Sequence, residues 1–377
     1  MIVYYRKLAK KLLVIFLLAF LVFYLRKCSN HASPLDNVQY LKKVNEDWTS
    51  TIALLKNYSS RFTLMHKSFN TRDSFGTAKQ KASIEKVECN QPPFLLILVH
   101  SKPNNFLRRE AIRNSWGKQD NRVNILGSLH KRSYKTVFLL GQTKGKSTRR
   151  LVDIESRESR DIVVGGFVDS YANLYKKMLL TIRWPLHQCN AKYILKTDDD
   201  CYVNTDICLS FLIEYNSKES MPLYTGREAS NSPIERDPKS KHYLPYDIYP
   251  SRTLYPPYIA GEGYLFSGSL LKKLDRASKT TPLFAIEDAC FGSLMRKAGV
   301  KPKDDLRFMP FLYCYLFDDR ESVFDRPLCD FVGPIVIHGL RHYEQITMHF
   351  QIRLMTLIPS LCRGNDNGWL VTRKKCS

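Results

Sequence analysis

From position 94 onward, short apolar runs alternate with stretches whose apolar residues recur every three or four positions, the texture of an α/β domain. Residues 94–99 (FLLILV) read as a buried strand, 135–140 (KTVFLL, ending at Gly141) as a second, 161–164 as a third and 193–197 (YILKT) as a fourth. A helix is expected over 106–116, capped by Asn104 or Asn105 and stopped by Gly117. Another is expected over 171–183, with Leu174, Met178 and Ile182 on one face. Residues 284–298 contain a further helical pattern, and 334–337 a further strand. The segment 226–258, rich in Pro, Ser, Tyr and charge, reads as a long loop.

The pattern before position 89 is different. Residues 12–25 (LLVIFLLAFLVFYL) carry no charge, with Arg6, Lys7, Lys10 and Lys11 before them and Arg26 and Lys27 after. A full span needs roughly 20 apolar residues, and basic stems at both ends lengthen a short one by snorkelling. A cleavable signal peptide fits the length, but the basic pair abuts the apolar run and Asn30 and Ala32 make a poor cleavage site. An uncleaved signal anchor is the preferred reading. Its charge bias keeps the N-terminus cytosolic and places the rest of the chain in the lumen. The expected organisation is a cytosolic tail (1–11), an anchor (12–25), a stem (26–88) and a lumenal catalytic domain (89–377). In the stem, Val38, Leu41, Val44, Trp48, Ile52 and Leu55 form a helical stripe. The stripe either packs on the chain's own domain or forms a short self-associating coil that would make a homo-oligomer.

With 377 residues, 44% hydrophobic and 25% charged, the chain is globular in composition, which excludes a mainly disordered or collagenous protein. The net charge of +22 points to an anionic partner such as a phosphate-bearing substrate, a membrane surface or nucleic acid. Six basic residues and no acids lie in the first 27 positions, so part of the excess belongs to the anchor. A lumenal chain would be exposed to glycosylation at its sequon, Asn57-Tyr58-Ser59, and its ten cysteines would sit in an oxidising space where disulfides form.

The chemistry begins where the fourth strand ends. Asp198, Asp199 and Asp200 follow it directly, and three adjacent carboxylates at a buried strand end are costly unless a cation or solvent relieves them. Ligands of open α/β sheets bind at such ends, and carboxylate oxygens suit Mg²⁺ or Mn²⁺. Alternation along an extended segment lets Asp198 and Asp200 share one site. Glu287-Asp288 precedes a helical pattern, where it either favours the helix N-terminus or supplies a general base. Gly261 and Gly263, among the aromatics of 255–264, permit close approach to a sugar. Arg108, Arg109 and Arg113 lie on the first helix, where a guanidinium could grip phosphate.

In order, the motifs FLLILVHSKPNNFLRREAIRNSWG, KTVFLLG, DSYANLYKKM, KYILKTDDDCYVN, YPPYIAGEGYLFS, EDACFGSLMRKAGV and VIHG resemble the β1,3-galactosyltransferase-like family of inverting glycosyltransferases. That family also includes β1,3-N-acetylglucosaminyltransferases and is related to the Fringe enzymes. The resemblance spans roughly residues 89–345; each motif alone is weak, and seven in the same order are specific. It implies a GT-A fold, meaning one Rossmann-like α/β domain that binds a UDP-sugar with Mn²⁺ (or Mg²⁺) bridging protein and diphosphate. By the same resemblance, Asp200 and the late His338 would hold the metal, Asp198 and Asp199 would complete the aspartate motif near the nucleotide, and Asp288 would be the catalytic base. Ser101, Arg109 and Arg113 match first-strand and first-helix positions near the nucleotide. Asp169, Asn173 and Lys177 match the DSYxNLxxK helix, and Gly261 and Gly263 the wall of the sugar site. The membrane anchor matches the Golgi topology of family members.

The chain departs from the family pattern at four places. Ile259 replaces a frequent cysteine, Glu262 interrupts a run of glycines, Tyr175-Lys176 stand where Thr-Leu is common, and Gly166 stands where an Asp is usual. UDP-galactose is the first expected donor, then UDP-N-acetylglucosamine and UDP-N-acetylgalactosamine, with an acceptor glycan on glycoprotein or glycolipid. Two other classes compete. A basic nucleic-acid-binding protein or nuclease is opposed by the apolar 12–25 segment. A catalytically silent lectin-like Golgi protein is opposed by intact Asp200, Asp288 and His338.

Overall fold

The computed structural model describes residues 87–89, 91–118, 123–125, 128–130, 134–218, 221–249, 253–309 and 328–357. The chain divides into two compact units, Met1–Ser60 and Arg61–Ser377, and every described residue belongs to the second. The anchor at 12–25, the stem helix and Asn57 lie outside the described residues. Among the described residues no helix is long and apolar enough to cross a membrane.

The strands in chain order are β1 (Leu95–His100), β2 (Val123–Ile125), β3 (Ser128–His130), β4 (Tyr134–Gln142), β5 (Ile162–Val168), β6 (Tyr193–Asp198), β7 (Cys201–Val203), β8 (Tyr224–Ala229), β9 (Tyr258–Ser267), β10 (Lys303–Asp304), β11 (Phe308–Met309) and β12 (Val336–His338). The helices are α1 (Phe106–Arg113), α2 (Lys146–Ser159), α3 (Leu174–Gln188), α4 (Thr205–Lys218), α5 (Leu271–Ser278), α6 (Glu287–Lys297) and α7 (His342–Leu357). A seven-stranded mixed sheet runs β10-β8-β9-β6-β1-β4-β5, and a smaller one runs β11-β12-β7.

Within the large sheet, β5, β4, β1 and β6 are all parallel. The chain builds outward from β1 to β4 and β5, then returns to lay β6 on the other side of β1. That reversal is the Rossmann-like feature: the connections leave β1 and β6 in opposite directions and open a crevice at their C-terminal ends. His100 pairs with Asp198 at that point, so the chain segment after β1 and the aspartates after β6 share one edge. All six residues of β1 are buried, as an apolar run covered on both faces requires. One core cluster packs Leu95, Ile97 and Val99 with Trp116, Phe138 and Leu195, and the other packs Leu96 and Leu98 with Met178, Ile194, Tyr264 and Phe291. A disulfide joins Cys89, ahead of β1, to Cys189, at the end of α3, across a separation of 100 residues. In the chain-entropy account, closing such a loop is worth about 4.7 kcal/mol. Cys201, Cys208 and Cys290 are buried free thiols.

The predicted strands and helices of 94–198 are present, with shifted bounds. The first helix stops at Arg113, because tight turns bring the Ser115 and Gly117 N–H groups onto the Ile112 carbonyl. The helix expected over 171–183 opens with a 3₁₀ turn (Tyr171–Asn173) and continues as α3 to Gln188. The loop reading of 226–258 is corrected at both ends: β8 runs to Ala229 and β9 begins at Tyr258. Helix α2 gives little sequence signal because, of its fourteen residues, only Val152 and Ser156 are buried.

Candidate active site

Strand β6 ends at Asp198, and Asp199-Asp200 form a turn into β7. The three carboxylates part company there. Asp199 turns inward, its side chain 6% exposed, and accepts hydrogen bonds from Ser101 Oγ (2.7 Å), Asn105 Nδ2 (2.8 Å) and an Arg108 amino group (2.9 Å). Asp198 and Asp200 stay nearer solvent, at 38% and 27%. The alternation expected of an extended segment is thus kept, though a turn produces it. Asn105 occupies the N-cap position of α1, yet its side chain makes no cap bond and is spent on Asp199. Behind the turn, the Gln345 side chain donates to the Asp199 carbonyl (2.8 Å) and accepts from Trp116 Nε1 (3.2 Å), tying α7 and the end of the first helix to the same turn.

Antiparallel pairing of β7 with β12 sets His338 opposite Cys201. His338 Nε2 consequently lies 3.5 Å from Asp200 Oδ1, while Arg108 sits 3.0 Å from Asp200 Oδ2. Burial first, and then the negative charge of Asp198, push the Asp200 carboxyl above its ordinary range; His338 and Arg108 pull it back. Among the described residues, no group of three or more His, Cys, Asp or Glu side chains gathers into a metal-type cluster. Asp200 and His338 are an oxygen and a nitrogen donor side by side. That set fits an open divalent site whose remaining positions come from a ligand or water.

The second acidic pair faces the first across β9. Lys196 is buried in the centre of β6, and its ammonium bridges Asp198 Oδ1 (3.0 Å) and Glu287 Oε2 (3.1 Å), while also donating to the Gly261 carbonyl. It lies 5.5 Å from the ring centre of Tyr264, its cross-strand partner, whose hydroxyl donates to Glu287 Oε1 (2.6 Å). Burial alone would lower the Lys196 pKa, but Asp198 and Glu287 outweigh it and hold the ammonium charged. Glu287 is therefore an anchored carboxylate. Its neighbour Asp288 accepts from the backbone N–H of Gly261 (3.1 Å) and of Ala289 (2.8 Å), and burial raises its pKa against those bonds and against Lys196. The N-cap position belongs to Ile286, so neither acid caps the helix.

The glycines belong to a distortion of β9. Between the pairs Gly226↔Tyr264 and Glu228↔Ile259, β8 advances two residues and β9 five, so residues 260–263 arch away from β8, with Gly263 still paired to Thr197 of β6, as bulges beside functional sites do. A Cβ on Gly261 would stand 3.3 Å from Asp288 Oδ2, and one on Gly263 3.0 Å from Val336. Both positions need the small residue for close approach. Inside the arch, the Glu262 carbonyl accepts from Thr197 Oγ1 (2.8 Å) and Cys201 Sγ (3.3 Å). Its carboxyl is raised to about 7, chiefly by burial; His338 opposes this, and Asp288 and Asp198 add to it.

The remaining sequence candidates brace this edge. Arg109 is fully buried and all five of its N–H groups are used: on Glu155, on Ser101 Oγ and on the carbonyls of Lys102 and Pro103. Arg113 is held by Asp161 and Glu155. Of the three arginines of α1, the one brought to the aspartates is Arg108. Lys177 pairs with Asp169 (2.8 Å) and donates to the Ser101 carbonyl (2.8 Å), Asp169 accepts from the Gly141 N–H, and Asn173 donates to the Val168 carbonyl. These contacts splice the ends of β1, β4 and β5. Sequence reasoning missed Asn105, Gln345 and Tyr264, which look like ordinary polar or core residues. Lys196 did leave a signal, since a lysine inside a buried strand demands carboxylate partners.

Comparison with known proteins gives this arrangement its class. The family model described as galactosyltransferase matches residues 107–306. Human β-1,3-galactosyltransferase 1 is 36% identical over 253 residues, covering 67% of this chain and 72% of that protein. Human N-acetyllactosaminide β-1,3-N-acetylglucosaminyltransferase 2 is 31% identical over 271 residues, covering 71% of this chain and 64% of that protein. Among solved structures, the mannosyltransferase PcManGT of Pyrobaculum calidifontis in complex with GDP-Man and Mn²⁺ matches with a TM-score of 0.31 at 10% identity, over 68% of this chain and 66% of that one. On the sequence matches, the chain belongs to the galactosyltransferase family of glycosyltransferases.

Proposed function

We propose that the chain is an inverting β1,3-glycosyltransferase of GT-A type. It takes a hexose, galactose in the first instance, from a UDP-sugar and adds it to an acceptor glycan on glycoprotein or glycolipid, as a Golgi type II membrane protein. N-acetylglucosamine is the alternative sugar, since relatives named for each transfer match at 36% and 31% identity. The observation that carries the reading is the convergence of residues distant in sequence. Asp200 and His338 stand 3.5 Å apart at one strand edge, and buried Lys196 ties Asp198 to Glu287, next to Asp288.

The chemistry follows from that placement. The Asp288 carboxylate, held by two backbone N–H groups, takes the proton from an acceptor 3-hydroxyl. The freed oxygen attacks the anomeric carbon from the face opposite the diphosphate, so an α-linked donor gives a β-linkage. One carboxyl suffices where a glycosidase uses two, because the leaving diphosphate needs charge neutralisation rather than a proton. A divalent cation such as Mn²⁺, held by Asp200 and His338 when bound, would supply that neutralisation as a Lewis acid. Arg108, already on Asp199 and Asp200, adds fixed positive charge at the same end.

Transfer from UDP-galactose and UDP-N-acetylglucosamine to simple acceptors, with Mn²⁺ present, tests the reading. Asp288→Asn should abolish transfer and leave UDP binding in place; a variant that keeps most of its rate removes Asp288 from the base role. Asp200→Ala should lose Mn²⁺-dependent UDP affinity by calorimetry, and unchanged affinity would remove it as a ligand.

A further inference from the structure

The arch of β9 carries a carboxylate that the proposed chemistry does not use. Among the described residues, Glu262 Oε2 is closed to solvent and has no hydrogen-bond partner. Its surroundings are adverse: burial, Asp288 and Asp198 all disfavour its charge, and His338 alone of the three cleft groups favours it. A buried acceptor without a donor costs free energy, and folded proteins rarely retain one without a use. Nor is the residue loosely placed. Its carbonyl is fixed by Thr197 and Cys201, and the neighbouring Gly261 N–H donates to Asp288. The backbone is held while Oε2 lacks a donor.

The position says which donor is missing. In an inverting transfer the moving sugar lies between the leaving diphosphate, at Asp200 and His338, and the attacking hydroxyl, at Asp288. The Glu262 carbonyl accepts from Cys201, the strand partner of His338, and the N–H of the neighbouring Gly261 donates to Asp288, so the residue borders the space that this sugar would occupy. Rotation about the last side-chain torsion, which is broad for glutamate, presents either oxygen. We propose that Glu262 is a specificity-determining residue whose carboxylate accepts a hydrogen bond from a hydroxyl of the transferred sugar. The inference rests on the transferase reading above and deepens it by assigning sugar recognition to a residue that interrupts what is often a run of glycines in the resembling family.

The test uses the full chain with Mn²⁺ and calorimetric binding of UDP, UDP-galactose, UDP-N-acetylglucosamine and singly deoxygenated UDP-galactoses, with no acceptor present. Glu262→Gln keeps the side-chain size, and retained UDP affinity shows that the variant is folded. The expected result is that Glu262→Gln lowers affinity for the preferred UDP-sugar about 10- to 100-fold and leaves UDP itself unchanged. One deoxy sugar should show the same loss with the wild-type chain and no further loss with the variant. Equal affinity of both chains for every UDP-sugar overturns the proposal. So does an equal loss for UDP and UDP-sugar, which would place Glu262 on the nucleotide side. A wild-type chain that binds no UDP at all overturns the transferase reading instead, and this inference falls with it.

Discussion

The two acidic motifs, Asp198-Asp199-Asp200 after β6 and Glu287-Asp288 at the head of α6, are built alike and held differently. In each, one carboxylate is drawn inward and anchored while a neighbour is left at the working edge. Asp199 is anchored by neutral donors from Ser101 and Asn105 and by the half-exposed Arg108. Glu287 is anchored by the buried Lys196 and by Tyr264. The first anchor is a hydrogen-bond network near water, and the second is a desolvated ion pair. Lys196 also bonds Asp198, so one buried cation couples the two motifs across β6 and β9. What differs is the cost of failure: a polar network loses a donor or two, whereas a buried pair that loses its cation strands a charge.

Breaking the shared cation should therefore have the largest effect. Lys196→Met is expected to lower unfolding stability by about 3–5 kcal/mol, read by denaturant titration, because Glu287 is left buried without its countercharge. A loss below about 1 kcal/mol would mean that the second anchor is no stronger than the first. Asp199→Ala should cost less, about 1–3 kcal/mol, by leaving Ser101, Asn105 and Arg108 without their acceptor. It should also weaken Mn²⁺-supported UDP binding, since Arg108 and the turn at Asp200 lose their common tie.

Acid separates the two anchors further. His349, on the helix packed behind the aspartate turn, is lowered from 6.5 to about 3, first by burial and then by Arg353 and Lys118. The unfolded chain takes up that proton near the ordinary histidine value and the folded chain does not, so this contribution is full above it and is lost as pH falls. His349→Phe should accordingly lessen the drop in stability between pH 7 and pH 5 by about 1–2 kcal/mol, measured by denaturation at the two pH values. Glu287 and Asp288 shift the opposite way, raised by burial, so protonation favours the fold on their side. An unaltered pH profile in the His349 variant would remove this asymmetry.

The strands of the parallel core were legible because a strand covered on both faces must be apolar along its length, as FLLILV and KTVFLL are. Strands β8 and β9 were not: one is buried only over its first half, and the other is interrupted by the glycines that let it arch. The aspartates and Glu287-Asp288 could be picked out because unpaired carboxylates beside apolar runs demand an explanation. Which acid of each group faces inward could not be read, because that depends on donors from Ser101 and Tyr264, far away in the chain.

By itself the sequence determined the α/β class, the family and the acids proposed to carry the chemistry, since hydrophobic period and residue type are local properties of the chain. The tertiary structure alone decided that Arg108 rather than Arg109 meets the aspartates, that Lys196 binds both acidic motifs, and that Gly261, beside Glu262, meets Asp288. Those are facts of strand order and register. The reversal at β1, the pairing of β7 with β12 and the arch in β9 bring together residues up to about 230 positions apart, over distances that no local pattern encodes.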